Sequence, residues 1–165
     1  MRKLTPDAAL AITELQQMLY DLGYEIDANT GRAIADYYCA DGAFVVGEHR
    51  YQGHAQLEAF YAAERDRIAT TLQDGERQLL HAFVNPRIVV HDETSATIKC
   101  FNLNFSAPGA RPIAGPIAPN LLVECRLECR RESDGHCRVS EFSSTPQFVA
   151  KTIVHHDVAK RAGHD

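Results

Sequence analysis

The apolar period of the chain changes once, and that change restricts the folds open to it. Ile12, Leu15, Leu19, Leu22 and Ile26 recur at alternating three- and four-residue spacings, one face of an α-helix. Far downstream, Leu121, Val123, Cys125, Leu127 and Cys129 alternate with Glu124, Arg126, Glu128 and Arg130, a strand with one apolar and one charged face. A chain that places helices first and half-buried strands afterwards reads as α+β, with the helices packed on one face of a sheet.

The helical part begins sharply. Thr5-Pro6-Asp7 combines a capping hydroxyl, a proline in the first turn and an acid near the positive helix end, so a helix is predicted over about residues 6–27. Asn29-Thr30-Gly31 breaks it and predicts a second, shorter helix through Ala33, Ile34 and Tyr37-Tyr38, ended by Asp41-Gly42. Ala43–Val46 and Arg50-Tyr51 around Gly47-Glu48-His49 predict a small hairpin. A third helix is predicted over about residues 54–70, with Leu57, Phe60, Tyr61, Glu64 and Ile68 along the side that should face the core.

Four long antiparallel strands are then expected, over about residues 77–91, 95–105, 121–131 and 136–144. Asn85-Pro86 inside the first marks a bulge or an edge, because proline cannot donate to a ladder. Asp134-Gly135 is a strong hairpin signal. Between the second and third strands, residues 106–119 carry four prolines, the mark of a functional or contact loop. Four long strands that bend can curl round the first helix and leave a cavity. The expected organisation is one domain over residues 1–148, followed by a polar tail over residues 149–165 that is mobile or docked on a partner subunit.

Composition excludes several classes. Hydrophobic residues are 45% and charged residues 24% of the 165, too many apolar side chains for a disordered chain. Seventeen basic against 22 acidic residues, net −5, argue against a general nucleic-acid or anionic-membrane binder. No apolar stretch reaches the roughly 18 residues of a membrane span, and none follows the basic N-terminus as a secretory signal would require. Five cysteines, none in a C-x-x-C pair, read as free thiols of a reducing cytoplasm, the expected location. His155-His156-Asp157 suits a solvated tail better than a metal site, so no metal and no cofactor are expected.

Four local features together resemble the SnoaL-like group of the nuclear transport factor 2-like superfamily, the cystatin-like α+β cone. They are Ile26-Asp27 at the end of the first helix, Asp41-Gly42-Ala43-Phe44, the segment Tyr51–Leu57, and Leu80–Ile88 with its His-x-x-x-Asn strand. The resemblance covers about residues 8–148 and implies a curved antiparallel sheet wrapped around three N-terminal helices, enclosing a cavity. In several enzymes of this group an aspartate ending the first helix pairs with a histidine on the first long strand. By motif those residues are Asp27 and His81.

The chemistry suits them. An imidazole can take and return a proton near neutral pH, and a carboxylate on its far nitrogen fixes the tautomer. The alternative is a histidine merely hydrogen-bonded in the core and an aspartate that shapes a turn. The chain departs from the group's dehydrochlorinases, with Leu22 where they carry a basic residue and Glu141 where they carry an arginine, which disfavours loss of a halide.

Further pocket candidates are Asn102 and Asn104, which share a strand face with Ile98 and Cys100, together with Tyr24 and Glu141. Glu141 shares a side with Val139, so it either faces the cavity or lies outside, solvated or paired with an arginine. The expected function is therefore a cofactor-independent lyase or isomerase acting on a small, largely apolar organic ligand. The resemblance also extends to non-catalytic small subunits of aromatic-ring dioxygenases, and a ligand-binding domain without activity is the third reading. The charged face Glu124–Arg130 suggests cross-strand ion pairs or self-association, as a homodimer or homotrimer through the sheet.

Overall fold

Thr5 caps the first helix as its sequence requires. In the computed structural model, which describes residues 4–71, 77–116 and 118–150, the Thr5 hydroxyl accepts the Ala8 N–H at 3.2 Å and opens α1 (Pro6–Ala28). Leu15, Leu19 and Leu22 on one face of α1 are at most 1% exposed, each contributing about 1.5–3 kcal/mol of burial. The chain then turns around a buried carboxylate. Glu25 accepts the side-chain amide of Asn29 at 2.9 Å and the backbone N–H of Ala33 at 2.6 Å, so its burial is compensated. Gly31 has φ +70°, and a Cβ there would meet the Tyr61 ring at 2.3 Å, so only glycine fits this turn.

The predicted second helix is a single 3-10 turn, Ile34–Tyr37. Residues assigned to its end belong to a strand, β1 (Tyr38–Val46). Aromatic Tyr38 favours strand, it and Cys39 are both buried at 1% exposure, and Asp41-Gly42 bends the strand rather than ending a helix. A Cβ on Gly42 would lie 2.7 Å from the Val139 carbonyl, so the close approach of β1 to its neighbour needs glycine. A tight turn at Gly47-Glu48 leads into β2 (His49–Gln52), and α2 spans His54–Thr71.

The rest of the sheet is β3 (Arg77–Val90), β4 (Ser95–Pro108), β5 (Leu121–Arg131) and β6 (Cys137–Val149), in the order β2-β1-β6-β5-β4-β3. The expected wholly antiparallel sheet is corrected here: β1 runs parallel to β6. The meander of β3 to β6 leaves one side of the last strand free, and β1 fills it in the same direction, so the sheet is mixed.

Asn85-Pro86 realises both expectations. β3 is an edge strand, its register with β4 shifts between Val84 and Arg87, and Asn85 has φ 53°. The inner faces are as alternation predicts: Ile98, Cys100, Val123, Cys125 and Leu127 are all at most 6% exposed. The charged outer face of β5 pairs along the strand and with β1, not as a cross-strand ladder: Arg126 with Glu128, and Arg130 with Asp41 at 2.6 Å and Glu132 at 2.9 Å. The tail beyond residue 150, with His155-His156-Asp157, lies outside the described residues.

Candidate active site

α1 ends where β3 begins to matter. Asp27, in the last turn of the helix, reaches β3 with both carboxylate oxygens. One accepts the backbone N–H of His81 at 2.8 Å, and the other lies 2.6 Å from ring Nδ1. Because β3 is an edge strand, its outward N–H groups have no ladder partner on that side. Asp27 therefore ties the helix to the sheet and orients the imidazole in the same contact. Both side chains are largely buried, 14% and 12% exposed.

The other ring nitrogen, Nε2, lies 3.0 Å from the Asn104 side-chain amide. His81 and Asn104 are directly opposite each other across β3 and β4, which is why their side chains meet. With Nδ1–H donated to Asp27 and Nε2 accepting from Asn104, both nitrogens are used in the neutral tautomer.

These groups line a cavity of about 260 Å³. Its walls are mostly apolar, from Ile26 of α1, Phe60 and Ile68 of α2, Phe83, Val123 and Phe142. Asn102 and Asn104 both line it, as does Ser106 two residues further along β4. Asn102 is 6% exposed. Cys125 also faces it, but the hydrogen bond it shares with Cys100, together with burial, holds its thiol far above the usual range, so it is no ready nucleophile. Among the described residues, no group of three or more His, Cys, Asp or Glu is placed to hold a metal ion.

The SnoaL-like domain family model matches residues 7–163. The chain belongs to the SnoaL-like family. No curated protein matches it. Among solved structures, an NTF2-like protein with a cystatin-like fold from Novosphingobium aromaticivorans is 19% identical, with TM-score 0.67, covering 92% of this chain and 94% of its own. A putative scytalone dehydratase from the same organism is 14% identical, with TM-score 0.70 and the same coverage. A function-unknown protein from Mycobacterium tuberculosis is 19% identical, with TM-score 0.71, covering 94% and 91%. These likenesses establish the shared cystatin-like fold.

Within this SnoaL-like fold, two candidate pocket residues lie elsewhere. Tyr24 is 74% exposed on α1 and does not line the cavity. Glu141 lies outside, 2.6 Å from Arg50. The reason is a bulge: Glu128 pairs with Glu141 but Cys129 pairs with Val139, so Ser140 is an extra residue. Val139 and Phe142 point inward and Glu141 outward, which simple alternation across residues 137–143 does not foresee. Leu22 is fully buried in the core and is not a cavity residue.

Other cavity residues are missing from the sequence-based set. Glu64, Arg65 and Arg67 enter the lining from α2, where Arg67 donates to Glu64 at 2.8 Å and Arg65 donates to the Thr30 carbonyl at 2.9 Å. The signal was Glu64, an acid on the otherwise apolar side of that helix. Tyr61 lies on the same side, and its phenol is pushed up by burial first and by Glu25 and Glu64 next. Thr30 is a β-branched residue at φ 58°, an uncommon conformation at the cavity rim that the Arg65 bond helps to hold. No helix among the described residues is long and apolar enough to cross a membrane.

Proposed function

We propose that this SnoaL-like protein is a cofactor-independent lyase or isomerase in which His81 is the general acid–base, oriented by Asp27. The observation that carries the reading is the two-sided placement of one imidazole, with Nδ1 2.6 Å from a carboxylate and the ring in the wall of an apolar cavity. A substrate with a carbonyl and a hydroxyl on the β-carbon suits it. Nε2 takes the proton from the carbon next to the carbonyl as the substrate displaces Asn104 from the ring. The C–H electron pair passes into an enolate, and Asp27 stabilises the imidazolium without itself being protonated. The imidazolium then returns the proton to the β-hydroxyl, the C–O bond breaks, and water leaves behind a conjugated double bond. Return of the proton to another carbon instead gives isomerisation.

Fold likeness to a putative scytalone dehydratase supports the lyase class. The apolar lining favours a small, largely apolar substrate. The test is a panel of cyclic β-hydroxy ketones, followed by the ultraviolet absorbance of the conjugated product. Turnover by the native chain that falls about 10²–10⁴-fold in His81→Ala, with an unchanged circular dichroism spectrum, is expected. Undiminished turnover in that variant overturns the proposal.

A second reading draws on the Asn104 contact, which occupies the lone pair a base would use. Under it, the cavity binds its ligand without chemistry. Saturable binding of the same ketones with no product favours that reading.

A further inference from the structure

Two polar atoms in the cavity wall have no hydrogen-bond partner among the described residues. The carbonyl oxygen of Asn102 and the hydroxyl of Ser106 are buried without a hydrogen bond, and both residues line the cavity. Asn102 is 6% exposed, so bulk solvent reaches little of it. An unpaired buried polar group costs stability, and an apolar side chain of similar size would fit the strand better. Their position gives the cost a use. Asn102, Asn104 and Ser106 stand at two-residue intervals on the inner face of β4, and Asn104 is the one that touches His81. Asn102 and Ser106 therefore stand on either side of Asn104, each about 7 Å from it along the strand. The terminal torsions of asparagine and serine are soft enough to turn either group toward a ligand.

We infer that Asn102 is the specificity-determining residue of this cavity, accepting a hydrogen bond from a hydroxyl or N–H of the ligand, with Ser106 holding a second polar substituent on the opposite side of His81. The inference rests on the cavity being the ligand site proposed above and names the ligand class: a small ring compound that carries a hydrogen-bond donor on the side away from the position where the proton is transferred. Donors are selected because an analogue without one leaves the Asn102 oxygen unpaired, the strongest form of discrimination available to a neutral site.

The experiment measures binding, not turnover, so that it stands apart from the acid–base proposal. Titration calorimetry compares β-naphthol with its methyl ether and with naphthalene, two probes that lack the donor on either side of its size. The native chain is expected to prefer β-naphthol to both by about tenfold. Asn102→Leu is expected to reduce that preference to about twofold, to bind naphthalene more tightly and to melt at a higher temperature, since it removes the unpaired oxygen. Ser106→Ala leaves the preference intact or weakens it less. Should Asn102→Leu fail to fold, Asn102→Ala reads the same preference.

Equal affinity of the native chain for all three probes, or no binding of any, overturns the inference. A preference unchanged in Asn102→Leu, with a lower melting temperature, also overturns it by making the amide structural. If His81→Ala keeps full turnover while the naphthol preference holds, the acid–base reading fails alone. If the preference is missing while His81→Ala abolishes turnover, this inference fails alone.

Discussion

The inner face of β4 has two halves that share one strand and one pleat. Ala96, Ile98 and Cys100 are at most 6% exposed and belong to the apolar core with Leu15 and Leu19 of α1. Asn102, Asn104 and Ser106 continue the same face and line the cavity. The change falls where the helix runs out. Ala11 and Leu15, early in α1, lie beside Ala96, whereas Asp27, near its end, lies beside His81, the partner of Asn104. Where α1 covers the strand, residues are apolar and tightly packed. Where it stops, the strand carries amides and a hydroxyl, two of them without a partner among the described residues. One half of the strand holds the fold together, and the other gives up some stability to present polar groups.

The sharpest way to test that division is to damage each half separately. His81→Ala, on the cavity side, is expected to lower turnover of a β-hydroxy ketone by about 10³-fold while costing less stability than a core truncation. Ile98→Ala, on the core side, is expected to do the opposite. It loses about 2–5 kcal/mol of stability in urea titration, with turnover per folded molecule unchanged. Equal loss of stability in both variants would erase the distinction between the halves.

Asp27→Asn probes the junction. The amide oxygen can still accept the His81 backbone N–H, so the dock of α1 on β3 survives. The amide nitrogen then faces Nδ1 and donates to it, which moves the ring proton to Nε2 and removes the base, so kcat is expected to fall about as far as in His81→Ala with KM nearly unchanged. A variant that instead unfolds would make Asp27 a structural tether first.

The smallest effect is at the turns beyond the core end. Asp92 is lowered to about 2 by the Ser95 hydroxyl and the N–H and hydroxyl of Thr94, and Asp134 to about 2 by Arg138 and then the His136 N–H. Both folded values lie below the ordinary 3.8, so the stability they add is fully present above that value and is lost as pH falls toward about 2. Both groups are solvent-exposed, so the effect is local. The Thr94 amide signal in NMR is expected to shift in that acid window, and the His136 amide signal to show a step there that Asp134→Asn abolishes.

Several features could be read without a structure because they depend on neighbouring residues. Thr5 and Pro6 start α1 through contacts within one turn. The alternation over residues 121–131 assigns the buried and exposed sides of β5, because successive side chains in a strand point to opposite faces. The four motifs that resemble the SnoaL-like group led to the family that the domain match establishes. They also named Asp27 and His81, which lie 54 residues apart in sequence and 2.6 Å apart in space.

The three-dimensional arrangement decided what no local pattern carries. Tyr38 to Gly42 became strand because β6 offered them a partner, and β1 joined it in parallel because that side of the last strand was free. One inserted residue at Ser140 turned Glu141 outward to Arg50, since a period-two pattern inverts at every bulge. Tyr24 stands close to Asp27 in sequence, but its side of α1 faces solvent. Glu64, Arg65 and Arg67 reached the cavity because α2 forms part of its wall. Period and capping act over a turn or two of chain and are therefore legible in the sequence. Strand direction, bulges and the place where one helix stops covering a strand depend on pairings between distant segments, and only the folded chain brings those together.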